Sequence, residues 1–159
     1  MKQCMIFCCI ALLVWACGGG VRSVPESDTS SASNTPSSGS TSNADEDARG
    51  IGKFTNVDVS PALNTPMADA GEKVYSVKCS ACHKLTKEKL VGPGWEGVTQ
   101  RHSAEWIMNF ATNTDEMLNK DSKAQAMLEI CLVRMPDQNL SDDEARSVYE
   151  FMRKNDGIK

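Results

Sequence analysis

Two cysteines and a histidine stand close together near the middle of the chain, in the run Cys79-Ser80-Ala81-Cys82-His83. Cys-x-x-Cys-His is the spacing at which c-type haem attaches to a polypeptide. The two thiols add to the haem vinyl groups, and the adjacent imidazole then lies beneath the iron. The motif therefore predicts one haem c, held covalently through two thioethers from Cys79 and Cys82 and ligated by His83.

Two other uses of this motif are weaker. A structural zinc site needs four ligands, and neither a second Cys-x-x-Cys nor a pair of histidines follows Cys82 in the sequence. A thioredoxin-like redox pair belongs in a βαβ pattern, which this sequence does not show. Haem attachment remains the favoured interpretation of the motif.

A second iron ligand is expected on a loop further along the chain. Haem iron with histidine on one side is often completed by a methionine thioether, which raises the reduction potential. Met127 and Met152 lie on apolar helical stripes and are expected in the core. Met135 precedes Pro136, which biases its backbone away from the α region and predicts an extended loop. We therefore predict Met135 as the sixth ligand, with His102 as its rival among the histidines.

The elements that must position these ligands are helices. From Met67 onward the apolar residues follow helical spacing, and no stretch alternates like a strand. A first helix is predicted to be capped at Asp69, a second to run over 104–118 and a third over 124–132. Ser141 and Glu144 form a capping box that opens the last helix. The sequence predicts an all-α fold of about four to five helices.

Together these residues resemble a single-haem class I cytochrome c, over about Met67–Lys159. The resemblance implies a bundle of helices around one haem. In that family an N-terminal helix with a glycine and an aromatic residue crosses the C-terminal helix. Gly71 and Tyr75 match the first pair, and Phe151 or Tyr149 matches the partner on the last helix.

The resemblance also implies a second layer around the haem. The carbonyl of Pro93 takes the place of the proline oxygen that accepts a hydrogen bond from the proximal imidazole, here His83, and so fixes its tautomer. Trp95 stands where the family usually has leucine. Arg101 and Trp106 are candidate donors to the haem propionates, with surface charge and core packing as the alternatives.

The N-terminus has the pattern of an export signal. Residues 4–17 are apolar at 14 of 14 positions, which is too short to cross a hydrocarbon core that needs about 20 helical residues. The run ends in Ala16 and Cys17, which resembles the lipobox of bacterial lipoproteins. We expect residues 1–16 to be a signal peptide, Cys17 to carry the lipid, and the domain to lie in the periplasm or on the cell envelope. An uncleaved anchor and an ordinary signal peptide are the alternatives.

A linker separates this signal from the domain. Ser23–Ser42 holds 12 Ser or Thr in 20 positions, and a segment with so few apolar side chains cannot offset the entropy of ordering its backbone. Residues 17–50 are therefore predicted to be a flexible, lipid-anchored linker. Residues 51–66 contain scattered apolar side chains and are predicted to form an extended arm, and residues 67–159 form the cytochrome c domain.

One cysteine is left without an assigned role. Of the 7 cysteines, three belong to the signal peptide, Cys17 takes the lipid, and two bind haem, so Cys131 alone remains and no disulfide framework is possible. Cys131 falls on the apolar stripe of the third predicted helix. It is expected to be a small buried hydrophobic residue, with an exposed thiol as the alternative.

The expected activity is one-electron transfer. Iron with both axial positions filled has no open site for a substrate, and no acid–base or nucleophilic cluster is visible in the sequence. The alternatives are a haem-based ligand-binding or redox sensor domain, in which Met135 is displaceable, and a peroxidase-like enzyme.

The partners are expected to be redox proteins. The net charge of −4 gives no reason to expect nucleic acid. Residues 72–89 hold five lysines against two glutamates, which suggests a basic face at the haem edge for acidic donors and acceptors. Parts of the domain also look like lipoprotein cytochromes c of Bacteroidetes-like bacteria. Some of those accompany periplasmic respiratory reductases, including nitrous oxide reductase.

Overall fold

The computed structural model describes residues 48–159, so the predictions for residues 1–16, for Cys17 and for most of residues 17–50 lie outside the described residues. Six helices follow in chain order: α1 (Thr65–Val74), α2 (Val98–Arg101), α3 (Ala104–Thr112), α4 (Thr114–Lys120), α5 (Ser122–Cys131) and α6 (Asp142–Asn155). Across the described part of the chain there is no strand, and the all-α prediction is confirmed. None of these helices is both long enough and apolar enough to span a membrane.

Helix α1 begins earlier than the sequence pattern predicted. The side chain of Asn64 accepts a hydrogen bond from the Met67 amide at 3.1 Å, and a proline stands in the first turn. Asn64 therefore caps the helix, and the predicted cap at Asp69 is wrong, because both features favour a start at Thr65. At its other end α1 continues into a π-helical turn, Tyr75–Cys79, which leads into the Cys-x-x-Cys-His motif.

The single helix predicted over 104–118 is in fact two helices, α3 and α4. The backbone leaves helical geometry at Asn113, with φ −143° and ψ 46°. The Asn113 side chain donates to the Ile51 carbonyl at 3.1 Å, and the hydroxyl of the buried Thr114 donates to the Phe110 carbonyl at 2.9 Å. These polar contacts divide the apolar stripe. One predicted helix is thus split into α3 and α4, and α2 adds a helix of a single turn. The described residues therefore form six helices, whereas the sequence predicted about four to five.

Helices α1 and α6 cross at a glycine. A Cβ on Gly71 would overlap the Ser147 carbonyl and come within 2.9 Å of the Phe151 Cβ, so only glycine permits this close approach. Next to the crossing, the Tyr75 and Phe151 rings lie 5.3 Å apart. Phe151, rather than Tyr149, is therefore the aromatic partner at the crossing.

Helix α6 follows the sequence prediction closely. The Ser141 hydroxyl accepts from the Glu144 amide at 3.2 Å, and the Glu144 carboxylate accepts from the Ser141 amide at 2.9 Å, so the capping box is confirmed. One face of the helix is buried, at Ala145, Val148, Tyr149 and Met152. This face closes one side of the core.

Residues 50–63 run in an irregular, extended path over the outside of α3 and α6. The fully buried Asn109 side chain accepts from the Phe54 amide at 2.9 Å and donates to the Phe54 and Arg49 carbonyls at 2.9 and 3.0 Å. Further along, Arg153 donates to the Ser60 and Pro61 carbonyls at 2.7 and 3.1 Å. Side chains on the helices thus satisfy the backbone polar groups of this segment.

Arg153 is itself held by a buried charge cluster on α6. Its Nη1 lies 2.9 Å from both carboxylate oxygens of Glu150, and Arg146 donates to the same carboxylate at 2.5 Å. Glu150 is fully buried and also accepts from the Asn64 amide at 3.3 Å. Removing one partner of such a cluster would leave a buried charge uncompensated. The cluster therefore fixes the segment before α1 to the last helix.

Candidate functional site

The two motif cysteines and His83 lie on one tight turn at the end of the π-helical segment. The amides of Cys82 and His83 both donate to the Cys79 carbonyl at 3.0 Å. Cys79 is buried, and this burial raises the pKa of its thiol to about 11. Both thiols and the imidazole line the same cavity, as haem attachment requires.

His83 is held by one hydrogen bond at its ring and another at its main chain. Its Nδ1 lies 2.9 Å from the Pro93 carbonyl oxygen, so Nδ1–H donates there and the Nε2 lone pair is left for a metal. The Tyr75 hydroxyl donates to the His83 main-chain carbonyl at 2.8 Å. Burial lowers the pKa of the imidazole, with the Pro93 carbonyl acting in the opposite direction. A neutral, oriented imidazole is the form that ligates iron.

The turn that carries Pro93 packs directly on this ring. A Cβ on Gly92 would overlap the imidazole, so the backbone approaches the ring as closely as a glycine allows. Trp95 is buried, with its ring 4.9 Å from Tyr75 and 5.6 Å from His83. The tryptophan thus fills the position that the family usually gives to leucine.

The cavity beside these ligands is apolar and has a volume of about 220 Å³. Helices α3, α4, α5 and α6 and the loop between α5 and α6 complete its walls. Met135 lies on that loop, just before Pro136, and lines the cavity together with Cys79, Cys82 and His83. The structure therefore brings the predicted thioether, thiols and imidazole to a single cavity.

Met67 is partly exposed on α1, and four other methionines occupy two kinds of position. Met108 and Met117 are buried in the protein core. Met127 and Met152, which the sequence placed in the core, line the cavity as well as helical packing surfaces. Met135 differs from both because it lies on a loop rather than on a helix.

The propionate donors suggested by the sequence have partners within the chain. The Trp106 indole N–H donates to the Asp121 carboxylate at 3.2 Å, and so the prediction that it serves a propionate is not supported. Arg101 lines the cavity while donating to the Glu96 and Gly94 carbonyls at 2.6 and 3.3 Å. Its position is compatible with a role at the cavity.

His102 and Cys131 are the other reactive side chains at the cavity. His102 is half-buried and stacks on Trp106, with ring centroids 4.0 Å apart and planes at 16°, so its ring packs against the protein. Burial lowers its pKa, and the nearby Arg101 lowers it further. Cys131 is partly buried and also lines the cavity, rather than lying in the protein core.

Two features of the site were missed by sequence reasoning. The hydrogen bond from the Tyr75 hydroxyl to the His83 carbonyl joins the π-helical segment to the turn that follows it, and no local sequence signal predicts it. Asp121 accepts both from the Trp106 indole and, at 2.8 Å, from the Ala124 amide at the start of α5. An aspartate just before a helical stripe is a recognisable cap, but its second bond depends on the tertiary fold.

The residues present fit a c-type haem. The paired thiols, a ring whose free nitrogen is set by a carbonyl, a cavity-lining thioether and apolar walls form the donor set and environment of such a group. The zinc alternative lacks its ligands, because no cluster of three or more His, Cys, Asp or Glu side chains is placed to hold a metal ion within residues 48–159.

A family model described as "Cytochrome c" matches residues 68–156, which is more than half of the chain. The chain therefore belongs to the cytochrome c family. Cytochrome c domains bind haem c covalently and act as electron carriers rather than as enzymes, so the sequence expectation of an electron-transfer protein is confirmed at that level.

Two solved structures and one curated protein are similar to the chain. It is similar to cytochrome c from Rhodothermus marinus, with a TM-score of 0.67 and 28% identity over 70% of this chain and 96% of that chain. An engineered form of that protein, described as bound to a carbene intermediate, gives a TM-score of 0.64 and 27% identity over the same shares. The chain is also 44% identical over 48 residues to cytochrome c-type cyt cy of Rhodobacter capsulatus, covering 30% of this chain. The chain spans only 24% of that relative's length.

Proposed function

We propose that this protein is a one-electron carrier of a periplasmic or membrane-surface respiratory chain, with a single haem c. The observation that carries the proposal is that Cys79, Cys82, His83 and Met135 line one apolar cavity. Cys79 and Cys82 would hold the haem through thioethers, and His83 and Met135 would ligate its iron. When bound, the haem supplies reversible one-electron chemistry between ferric and ferrous iron.

The chain's own residues prepare this site. Pro93 holds the Nδ1 proton of His83, which leaves Nε2 as the ligating nitrogen. The apolar walls exclude water and limit the reorganisation that accompanies a change in charge. Ligation by both His83 and Met135 would leave no open site on the iron, and so would favour electron transfer over the binding of small ligands.

A methionine substitution tests this ligation. Replacing Met135 with Ala should abolish the long-wavelength sulfur-to-iron absorption band and lower the reduction potential. Met127→Leu is the matched control, because Met127 also lines the cavity but lies on a helix. An unchanged band in the Met135→Ala protein, or its loss in the control alone, would refute the assignment.

Carbon monoxide separates a carrier from a ligand-binding sensor. If Met135 stays on the iron, the reduced protein at neutral pH should not bind carbon monoxide, whereas the Met135→Ala protein should. Rapid binding by the unaltered protein would favour a sensor with a displaceable sixth ligand. Covalent haem is checked first, by the absorbance and mass of the denatured polypeptide.

The attachment to a membrane rests on the sequence alone. We propose that residues 1–16 are removed, that Cys17 carries a lipid at a bacterial membrane, and that residues 17–50 link it to the domain. Mass spectrometry of the mature N-terminus tests this, and an unmodified first residue other than Cys17 would contradict it. The electron acceptor is a partner oxidoreductase, and a reductase of the nitrous oxide type is the one to test first.

A further inference from the structure

The loop between α5 and α6 carries Met135 and has few hydrogen bonds to the rest of the protein. Across the described part of the chain, no hydrogen bond between main-chain groups joins residues 133–140 to another element. The hydrogen bonds that Gln138 and Asn139 donate end within the loop itself. The position of the loop must therefore be set by side chains.

Arg134 is the residue that ties this loop to a helix. Its Nη2 donates to the Asn119 side-chain oxygen at 2.9 Å, to the Asp115 carboxylate at 3.0 Å and to the Asp115 carbonyl at 3.3 Å. Its Nε donates to the same carboxylate oxygen at 3.2 Å. Both acceptor residues lie on one face of α4, because they are a helical turn apart. Within residues 48–159 these are the hydrogen bonds that join the Met135 loop to another element.

Helix α4 is a fixed base for this contact. Met117 and Leu118 on the same helix are buried, and Leu118 also lines the cavity. Arg134 directly precedes Met135, and both residues line the cavity. A planar guanidinium that bonds to two side chains fixes its orientation as well as its position. The contact therefore relates the residue next to the thioether to a helix that is packed in the core.

The contact acts mainly through geometry. The Asp115 side chain is 74% exposed and the Arg134 side chain is 43% exposed, and an exposed ion pair adds little to overall stability. Its hydrogen bonds nevertheless restrict a loop that has few others, and segments with few buried contacts open at low free energy. Loss of Arg134 should therefore loosen the loop much more than it destabilises the domain.

We propose that Arg134 is the positioning residue for the sixth ligand. By bonding to Asp115 and Asn119 of α4 it holds the Met135 thioether at the cavity and slows its departure from the iron. This proposal rests on the proposed function, because it concerns the ligand that Met135 is proposed to supply. It predicts that opening of the loop, and not of the whole domain, sets how fast Met135 is replaced by another ligand.

Binding of imidazole to the ferric, haem-loaded full chain tests the proposal. Added imidazole binds the iron only after Met135 has left it, so the rate at saturating imidazole reports that departure. Stopped-flow absorbance at the long-wavelength sulfur-to-iron band follows the reaction. Arg134→Ala should raise the rate about fivefold, with little change in urea denaturation. Arg134→Lys should give an intermediate rate, because lysine keeps the charge but lacks the planar fork.

Glu116→Ala is the matched control. Glu116 is next to Asp115 on α4, but it pairs with Lys120 of the same helix and so does not contact the loop. This variant should bind imidazole at the rate of the unaltered chain. The double variant Asp115→Ala/Asn119→Ala should behave like Arg134→Ala. Adding Arg134→Ala to it should have little further effect, because both acceptor side chains are already absent.

Four results would overturn the proposal. They are an Arg134→Ala protein that binds imidazole no faster than the unaltered chain, an equal acceleration in Glu116→Ala, a full effect of Arg134→Ala in the double variant, and a rise in rate that a measured loss of stability in urea accounts for. If the unaltered chain has covalent haem and the sulfur-to-iron band, each of these leaves the proposed function intact. An unaltered chain without that band would refute the proposed ligation and this proposal together.

Discussion

The cavity has two walls that are built differently, although each carries a proposed iron ligand. The proximal wall, residues 75–95, is fixed by main-chain hydrogen bonds. The Gly92 amide donates to the Cys82 carbonyl at 2.9 Å, and the Trp95 amide donates to the Lys84 carbonyl at 2.9 Å. With the carbonyl contact to the imidazole, these bonds define the position of the ring from within the polypeptide.

The distal wall, residues 130–140, depends on side chains instead. Arg134 donates to Asp115 at 3.0 Å and so joins the loop to α4. Leu132 and Asn139 have positive φ values, +61° and +51°. The wall also carries three exposed aliphatic side chains at the end of α5 and just beyond it: Ile130, Leu132 and Val133.

The difference between the two walls indicates which proposed ligand is positioned by local contacts of the polypeptide itself. Local main-chain bonds place the His83 ring without help from the opposite wall, whereas the position of Met135 depends on an irregular loop. Segments with few buried contacts and exposed hydrogen bonds open at lower free energy than core helices. We therefore expect the distal wall to loosen first when the protein is perturbed.

The largest perturbation is removal of the covalent haem by the double substitution Cys79→Ser/Cys82→Ser. A domain of this size has a marginal core, and the haem contributes the apolar mass that fills its cavity. Loss of the haem should remove most of the free energy of unfolding, on the order of 5 kcal/mol, and abolish cooperative melting. Circular dichroism and hydrogen exchange measure this, with faster exchange expected in residues 130–140. Unaltered helicity and a cooperative melt would contradict the prediction.

A substitution confined to the proximal wall should have the next largest effect. In Gly92→Ala the new Cβ would lie 2.8 Å from Nδ1 and 2.9 Å from Nε2 of His83 in the unrelaxed structure, so the ring must move away from Pro93. Overpacking of this kind destabilises by about 1–3 kcal/mol and should also alter the haem spectrum.

The control is Gly157→Ala, because Gly157 has nothing within 4 Å and a φ of +90°. It should introduce backbone strain alone and leave the haem spectrum unchanged. Urea denaturation of both variants measures the difference. If Gly92→Ala preserved the spectrum and the stability of the parent, close contact would not be what fixes the proximal ring.

The parts of the molecule that could be predicted from sequence are those with local signals. The haem motif is contiguous, Ser141 and Glu144 are three residues apart, and Pro136 directly follows Met135. Each of these signals acts within one turn of chain, and so the helical class, the last helix and the loop position of Met135 could all be inferred. The fold class is the clearest success.

The parts that could not be predicted depend on contacts between residues far apart in sequence. Asn109 and Asn113 look like ordinary polar positions on a helix, yet they bind backbone groups of residues 49–54. The break between α3 and α4 accompanies that pairing and not a local signal. The exposure of Ile130 and Leu132 could not be predicted either, because an apolar residue on a helical stripe is usually expected to be buried.

At the distal wall we expect Leu132→Gly to increase the stability of the protein, by less than the losses expected for the haem-free and Gly92→Ala variants. Glycine adopts a positive φ without steric cost, and the leucine side chain is 83% exposed, so little apolar burial is lost. The free energy of unfolding should rise by roughly 0.5–1 kcal/mol, measured by urea denaturation of the haem-loaded protein. Asn139→Gly is the control, since asparagine already tolerates this region and should gain less. A loss of stability in Leu132→Gly would mean that its side chain supports the distal wall.

The smallest effect expected is that the stability of the distal wall depends on pH through the protonation of His102. Its ring stacks on Trp106, whose indole binds Asp121 at the start of α5. Burial lowers the pKa of His102, the positive charges of Arg101 and Lys123 lower it further, and Asp121 acts in the opposite direction. Because Lys123 lies on α5, protonation of His102 repels the helix that leads into the distal wall.

The direction in which pH changes the stability follows from the lowered pKa of His102. The folded protein holds His102 neutral, so its contribution to stability is complete above the ordinary histidine pKa of about 6.5 and is lost as the pH falls below that value. The protection factors of the α5 amides, which correct for the intrinsic slowing of exchange in acid, should therefore fall on acidification from neutral pH, while those of α6 change less. His102→Phe keeps an aromatic ring on Trp106 but cannot titrate, and should flatten this response. If α5 and α6 responded alike in both proteins, then acid would act on the whole domain, and the two walls would not differ in how they open.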